Sequence, residues 1–92
     1  MKSYASIDRI EGKFAVCEVE LIPVEESKPE DFATKDCEMM DISLRKIPFF
    51  IRKVKEGDIL VVEHDCQNVT YVYCKDKEEK ARRLEFLRSI FG

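Results

Sequence analysis

Residues 14–21 read Phe-Ala-Val-Cys-Glu-Val-Glu-Leu, and this alternation constrains the fold more than any other stretch of the chain. Successive side chains of an extended backbone point to opposite faces. Ala15, Cys17, Val19 and Leu21 therefore share one side, and Glu18 and Glu20 share the other. The pattern predicts a strand with its apolar side turned inward. A second strand-like run, Ser3 to Ile10, precedes it across Glu11-Gly12-Lys13. A short glycine-bearing link between two such runs predicts a β-hairpin.

Residues 22–36, Ile-Pro-Val-Glu-Glu-Ser-Lys-Pro-Glu-Asp-Phe-Ala-Thr-Lys-Asp, hold two prolines, many acids and no sustained period. They read as a loop, longer than most in compact domains, and as a mobile acidic insertion. A third strand follows over 37–44, with Met40, Ile42 and Leu44 on one side. Pro48 lacks the N–H that a central strand needs, so Ile47 to Ile51 must be a crossing or a corner. Lys55-Glu56-Gly57-Asp58 is a turn. Ile59 to His64 is a nearly continuous apolar strand, placed centrally, and Val69 to Lys75 returns as a fifth.

The last segment, 76–91, is a helix. Asp76 with Glu79 three residues on makes an acidic capping box. Ala81, Leu84, Leu87 and Phe91 recur at helical spacing and form an apolar stripe expected to dock on the sheet. The whole chain, 1–92, then reads as one mainly β domain with strands within 3–75. It is a small five-stranded antiparallel bent sheet or partly open barrel, of the SH3 or oligonucleotide-fold kind, capped by one C-terminal helix. A small barrel has two ends to stopper, so at least one of Phe49 and Phe50 is expected to plug an end. The alternative is an exposed adhesive patch.

The order of pieces is familiar at this point. Residues 7–20 (IDRIEGKFAVCEVE), 43–48 (SLRKIP), 54–60 (VKEGDIL) and 80–91 (KARRLEFLRSIF) resemble domain-of-unknown-function family 3006. The resemblance spans nearly the whole chain, with residues 22–39 standing as an insertion. It implies a small bacterial protein with a compact β-barrel and a charged helix, and it carries over no catalytic residue.

Bulk properties narrow the function. A domain of 92 residues buries only about 60–65% of the surface of its unfolded chain, which leaves little room for both a core and a large substrate cavity. Apolar residues are 45% and charged residues 38%, a globular balance. The net charge of −3 and the interleaving of acids with bases disfavour polyanion binding. No run reaches the roughly 18 apolar residues of a membrane span, and the start of the chain is polar at once, so a cytoplasmic protein with free thiols and no membrane contact is expected.

Chemical constellations are sparse. His64, Asp65, Cys66 and Cys74 could in principle hold Zn²⁺, but their spacing fits no zinc-finger pattern, and no metal or cofactor is expected. With one His, three glycines and no phosphate-binding loop, the chain reads as a non-enzyme. Glu78 and Glu79 read as solvated first-turn charges. Phe86 lies off the Leu84/Leu87/Phe91 stripe, on a side shared with Arg82, Arg83 and Ile90. Phe49, Phe50, Arg82, Phe86 and Ile90 are accordingly the candidate residues for binding a protein partner or a second copy. Tyr71 and Tyr73, alternating on one side of the fifth strand, are the candidates for a single-stranded nucleic-acid platform, although cross-strand packing explains them more simply.

Overall fold

The computed structural model describes residues 1–31, 34–51 and 53–92. Five strands, β1 (Lys2–Glu11), β2 (Phe14–Glu20), β3 (Cys37–Ser43), β4 (Ile59–His64) and β5 (Val69–Lys75), precede one helix, α1 (Lys77–Phe91). The sheet is antiparallel throughout, in the order β3-β2-β1-β4-β5. The hairpin turn between β1 and β2 is Gly12-Lys13. Gly12 takes φ +56° and Lys13 stays at negative φ, the type II′ pattern whose twist suits adjoining strands.

Irregularities in pairing curl the sheet. β1 slips register against β2 between Ile7 and Arg9, and β4 slips twice against β5, between Val61 and Val62 and between Glu63 and His64. Each extra residue bends its strand and increases the local twist. The edge strands β3 and β5 consequently approach one another while the sheet stays open. Ala5, Ile7, Ala15, Cys17, Val19, Met40, Ile42, Leu60, Val62, Val69 and Val72 fill the concave side. Cys17 is a core hydrophobe, and burial, with the charge of Asp41 adding to it, pushes its thiol up to about 12.

The plug is not made by the phenylalanines. Phe49 is 93% exposed and Phe50 60%, whereas Ile51 is buried at 5%. The corner consists of two 3-10 turns, Leu44–Lys46 and Phe49–Ile51, the second closed by the Ile51 N–H donating to the Pro48 carbonyl at 3.0 Å. With three residues per turn, residues i and i+3 share a side. Leu44 and Ile47 therefore turn toward the core, as Ile51 does after them, and Arg45, Lys46, Phe49 and Phe50 turn out.

The loop 22–36 carries 3-10 turns at Val24–Glu26 and Pro29–Asp31, and both of its ends are bonded to the sheet. Leu21 N–H donates to the Asp36 carbonyl (2.9 Å), and Ser3 Oγ donates to the Ile22 carbonyl (2.7 Å). Phe32, the aromatic of this loop, lies outside the described residues.

The helix covers the outer face of the sheet with an unexpected side. Asp76 caps it by accepting from the Glu79 N–H at 2.9 Å. Ala81, Leu84 and Phe91 of the expected docking stripe are exposed, and only Leu87 is half-buried. The side turned inward carries Glu79 at 3% exposure, with Arg83 and Phe86 half-buried. Among the described residues, no helix is long and apolar enough to cross a membrane.

Candidate functional site

The chemistry of this chain gathers in several places, and the largest gathering is buried. Glu20, at the end of β2, accepts from Ser27 Oγ (2.6 Å) and pairs with Lys35 Nζ (3.5 Å) and with Arg83 (2.8 Å). Arg83 Nε also donates to Glu79 Oε2 at 2.8 Å, and Arg82 Nε donates to Glu79 Oε1 at 3.0 Å. The Arg83 guanidinium lies over the Tyr4 ring, 5.0 Å from its centroid. Strand, loop and helix thus meet at two carboxylates. Beside this cluster, Ser6, Glu18 and Cys37 join it in lining a small hollow of about 130 Å³. Burial, with a hydrogen bond to Glu18 and the charges of Glu18 and Glu20 adding to it, pushes the Cys37 thiol up to about 11, so it is a poor nucleophile at neutral pH.

A second buried carboxylate, Asp58, ties the first turn of the helix to the turn before β4. Gly57 takes φ +87° there, and Asp58 accepts from Lys80 Nζ (2.9 Å) and from the Lys55 N–H (2.9 Å), with Lys75 Nζ at 3.9 Å. Burial opposes its charge, but the bonds from Lys80 and Lys55 and the charges of Lys80 and Lys75 outweigh it. They hold its carboxyl below the usual carboxylate range.

The His64 constellation resolves into structure. His64 is 2% exposed, its Nδ1 accepts from the Cys66 N–H (3.0 Å), and its Nε2 lies 2.9 Å from Ser3 Oγ. Ser3 in turn gives its proton to Ile22, which assigns the Nε2–H tautomer to the ring. Cys66, at φ +71°, and Cys74 are exposed free thiols. Among the described residues, no group of three or more His, Cys, Asp or Glu side chains is placed to hold a metal ion.

Tyr71 and Tyr73 point outward, 55% and 37% exposed, and meet edge to face with centroids 4.9 Å apart. Lys2 Nζ lies 4.9 Å from the Tyr73 ring. Glu63 stands in the same patch and accepts from Tyr73 Oη at 2.9 Å. Bonds from the Met1 ammonium and from Tyr73 hold the Glu63 carboxyl low.

The binding candidates read from sequence are spread over two places. Phe49 and Phe50 stand on the corner, where an open groove of about 800 Å³ is lined by Ile10, Leu44, Ile47, Pro48, Phe49, Lys53 and Val54. Arg82 and Ile90 are exposed on the helix, Arg82 being bound to Glu79 and Glu78. Phe86 is half-buried on the inward side of the helix. The sequence reading missed Glu20, Lys35, Asp58, Glu79 and Arg83. One signal pointed to two of them: the i,i+4 spacing of Glu79 and Arg83. No family model, curated protein or solved structure matches this chain.

Proposed function

We propose that this protein is a small non-enzymatic interaction module that offers the outer side of α1 to a partner helix. One observation carries the reading. The helix is docked by its charged side, and Leu84 and Phe91 are left 50% and 76% exposed. A second copy of the chain fits this side. In an antiparallel pairing centred near residue 86, small Ala81 lies opposite the second copy's Phe91, and Glu85 comes within reach of the second copy's Arg88. Among the described residues, neither Glu85 nor Arg88 makes an ion pair within its own chain.

A non-enzymatic reading is further supported by the buried carboxylates, each of which is satisfied by a cation of the same chain. The likeness to domain-of-unknown-function family 3006 belongs to this proposal too, and it brings no activity with it. The nucleic-acid reading through Tyr71 and Tyr73 has less support, because Glu63 occupies the same face. The zinc reading has less support because both His64 nitrogens are engaged.

Sedimentation equilibrium tests the proposal. The wild-type chain should show a mass that rises with concentration toward a dimer. Leu84→Asp should hold it at monomer, with melting changed by less than about 0.5 kcal/mol because the position is half exposed. A wild-type chain that stays monomeric at high concentration would sink the reading.

A further inference from the structure

The corner between β3 and β4 differs in chemistry from the helix. Residues 45–55, Arg-Lys-Ile-Pro-Phe-Phe-Ile-Arg-Lys-Val-Lys, hold five cations and no acid in a chain of net charge −3. Arg45, Lys46, Lys53 and Lys55 are all exposed, and their side chains form no ion pair among the described residues. Between them the rings of Phe49 and Phe50 meet edge to face, with centroids 6.2 Å apart and planes at 80°. The rings stand on a fixed base, because Ile51 is 5% exposed and Ile47 and Val54 pack on the core.

The distribution of charge along the molecule gives the corner a direction. β2 and β3 pair from Phe14↔Ser43 at one end to Glu20↔Cys37 at the other. The corner follows Ser43, and the loop 22–36 joins Glu20 to Cys37, so the two lie at opposite ends of this strand pair. The loop holds five acids against two lysines. The molecule's longest dimension is 36 Å, and charges are screened over about 8 Å at physiological ionic strength, so the corner and the loop act on a surface separately, with Asp8 and Glu11 at the corner's end of the sheet paired to Arg9.

We infer that the corner docks on the surface of an anionic lipid bilayer. Phe49 and Phe50 enter the boundary between headgroups and acyl chains, and Arg45, Lys46, Lys53 and Lys55 lie at the level of the phosphates. The acidic loop end is repelled from the same surface, which orients the molecule corner first. The near-complete exposure of Phe49 favours a fluid apolar phase over a preformed pocket, and the open groove beside it gives displaced acyl segments an apolar wall. An interfacial contact of this kind needs no spanning segment. Each cation near such a surface is worth roughly a fivefold change in partitioning. The inference stands apart from the helix reading, because its residues and its assay are different.

Vesicle co-sedimentation of the full chain tests it, with vesicles rich in phosphatidylglycerol set against vesicles of phosphatidylcholine alone. The chain should pellet with the first and stay free of the second, and rising salt should weaken capture. Lys53→Glu with Lys55→Glu should reduce partitioning by more than about tenfold. Phe49→Ala with Phe50→Ala should abolish most of the remainder at physiological salt with unchanged melting, since both rings are exposed. The chain has no Trp, so Phe49→Trp adds a single reporter whose emission should shift to the blue on anionic vesicles. Three results would overturn the inference: no capture by anionic vesicles at low salt, capture indifferent to the two phenylalanines, or retention by an immobilised acidic, leucine-bearing peptide while vesicles capture nothing. The last would assign the corner to a protein ligand instead.

Discussion

On the inner face of the sheet, Leu60, Val62, Val19 and Ile42 meet with almost no exposed surface. On the outer face, β2 and the N-terminal half of α1 meet through Glu20, Glu79, Arg83 and Lys35, also nearly dry. Apolar area removed from water drives the first contact and does not depend on direction. The second depends on it strongly. Two carboxylates and their cations are stable out of water only where every partner is in place, and a bond left unmade there costs more than a made bond gives. The inner face therefore sets how stable the domain is. The outer face sets which side of the helix faces in.

Three measurements would break or sharpen this contrast. Leu60→Ala should have the largest effect, a loss of about 3–4 kcal/mol in chemical denaturation, because it opens a cavity at a fully buried site. A loss below about 1 kcal/mol would mean that the concave side is not the closed core described above. Glu20→Ala should follow, at about 2–3 kcal/mol, because Lys35 and Arg83 then lose a buried carboxylate while Arg83 keeps Glu79. Near-neutrality of that change, or full recovery of stability in strong salt, would show that the helix is held by something other than these ions.

The smallest effect is on pH dependence. Burial and the nearby N-terminal ammonium hold the His64 pKa below its ordinary 6.5. The unfolded chain then takes up a proton more readily than the folded one, so the stability held above 6.5 should fall as the pH drops beneath it. Asp58 acts in the same direction at lower pH. Its contribution is complete above its ordinary 3.8 and is lost as the pH falls through its depressed folded value. His64→Gln should remove the upper limb of the curve and leave the lower one. An unchanged upper limb would contradict the buried, neutral state assigned to the ring.

Much of the fold was legible in the residues. The alternation of 14–21 placed β2, and β4 and β5 run as read, over Ile59–His64 and Val69–Lys75. Asp76 marked the start of the helix because an N-cap is a local device. The surfaces were legible only in part. Phe49 and Phe50 stood out as unusual, but their exposure depended on a 3-10 turn, whose period of three lies between the strand period of 2 and the helix period of 3.6. Glu79 looked like a solvated first-turn charge because Glu20, the carboxylate that shares Arg83 with it, stands on a strand 59 residues earlier in the chain.

The sequence by itself determined the five strands, their hairpin start, the capped helix and the cationic, aromatic character of 45–55, because each follows from contacts between near neighbours or from period alone. Tertiary structure decided which side of the helix is buried and which rings stand in solvent. Those outcomes rest on charges and apolar groups brought together from distant parts of the chain. The apolar stripe of Ala81, Leu84 and Phe91 lost the sheet to Glu79 and Arg83 because Glu20 and Lys35 were already waiting there, and no local pattern records where they stand.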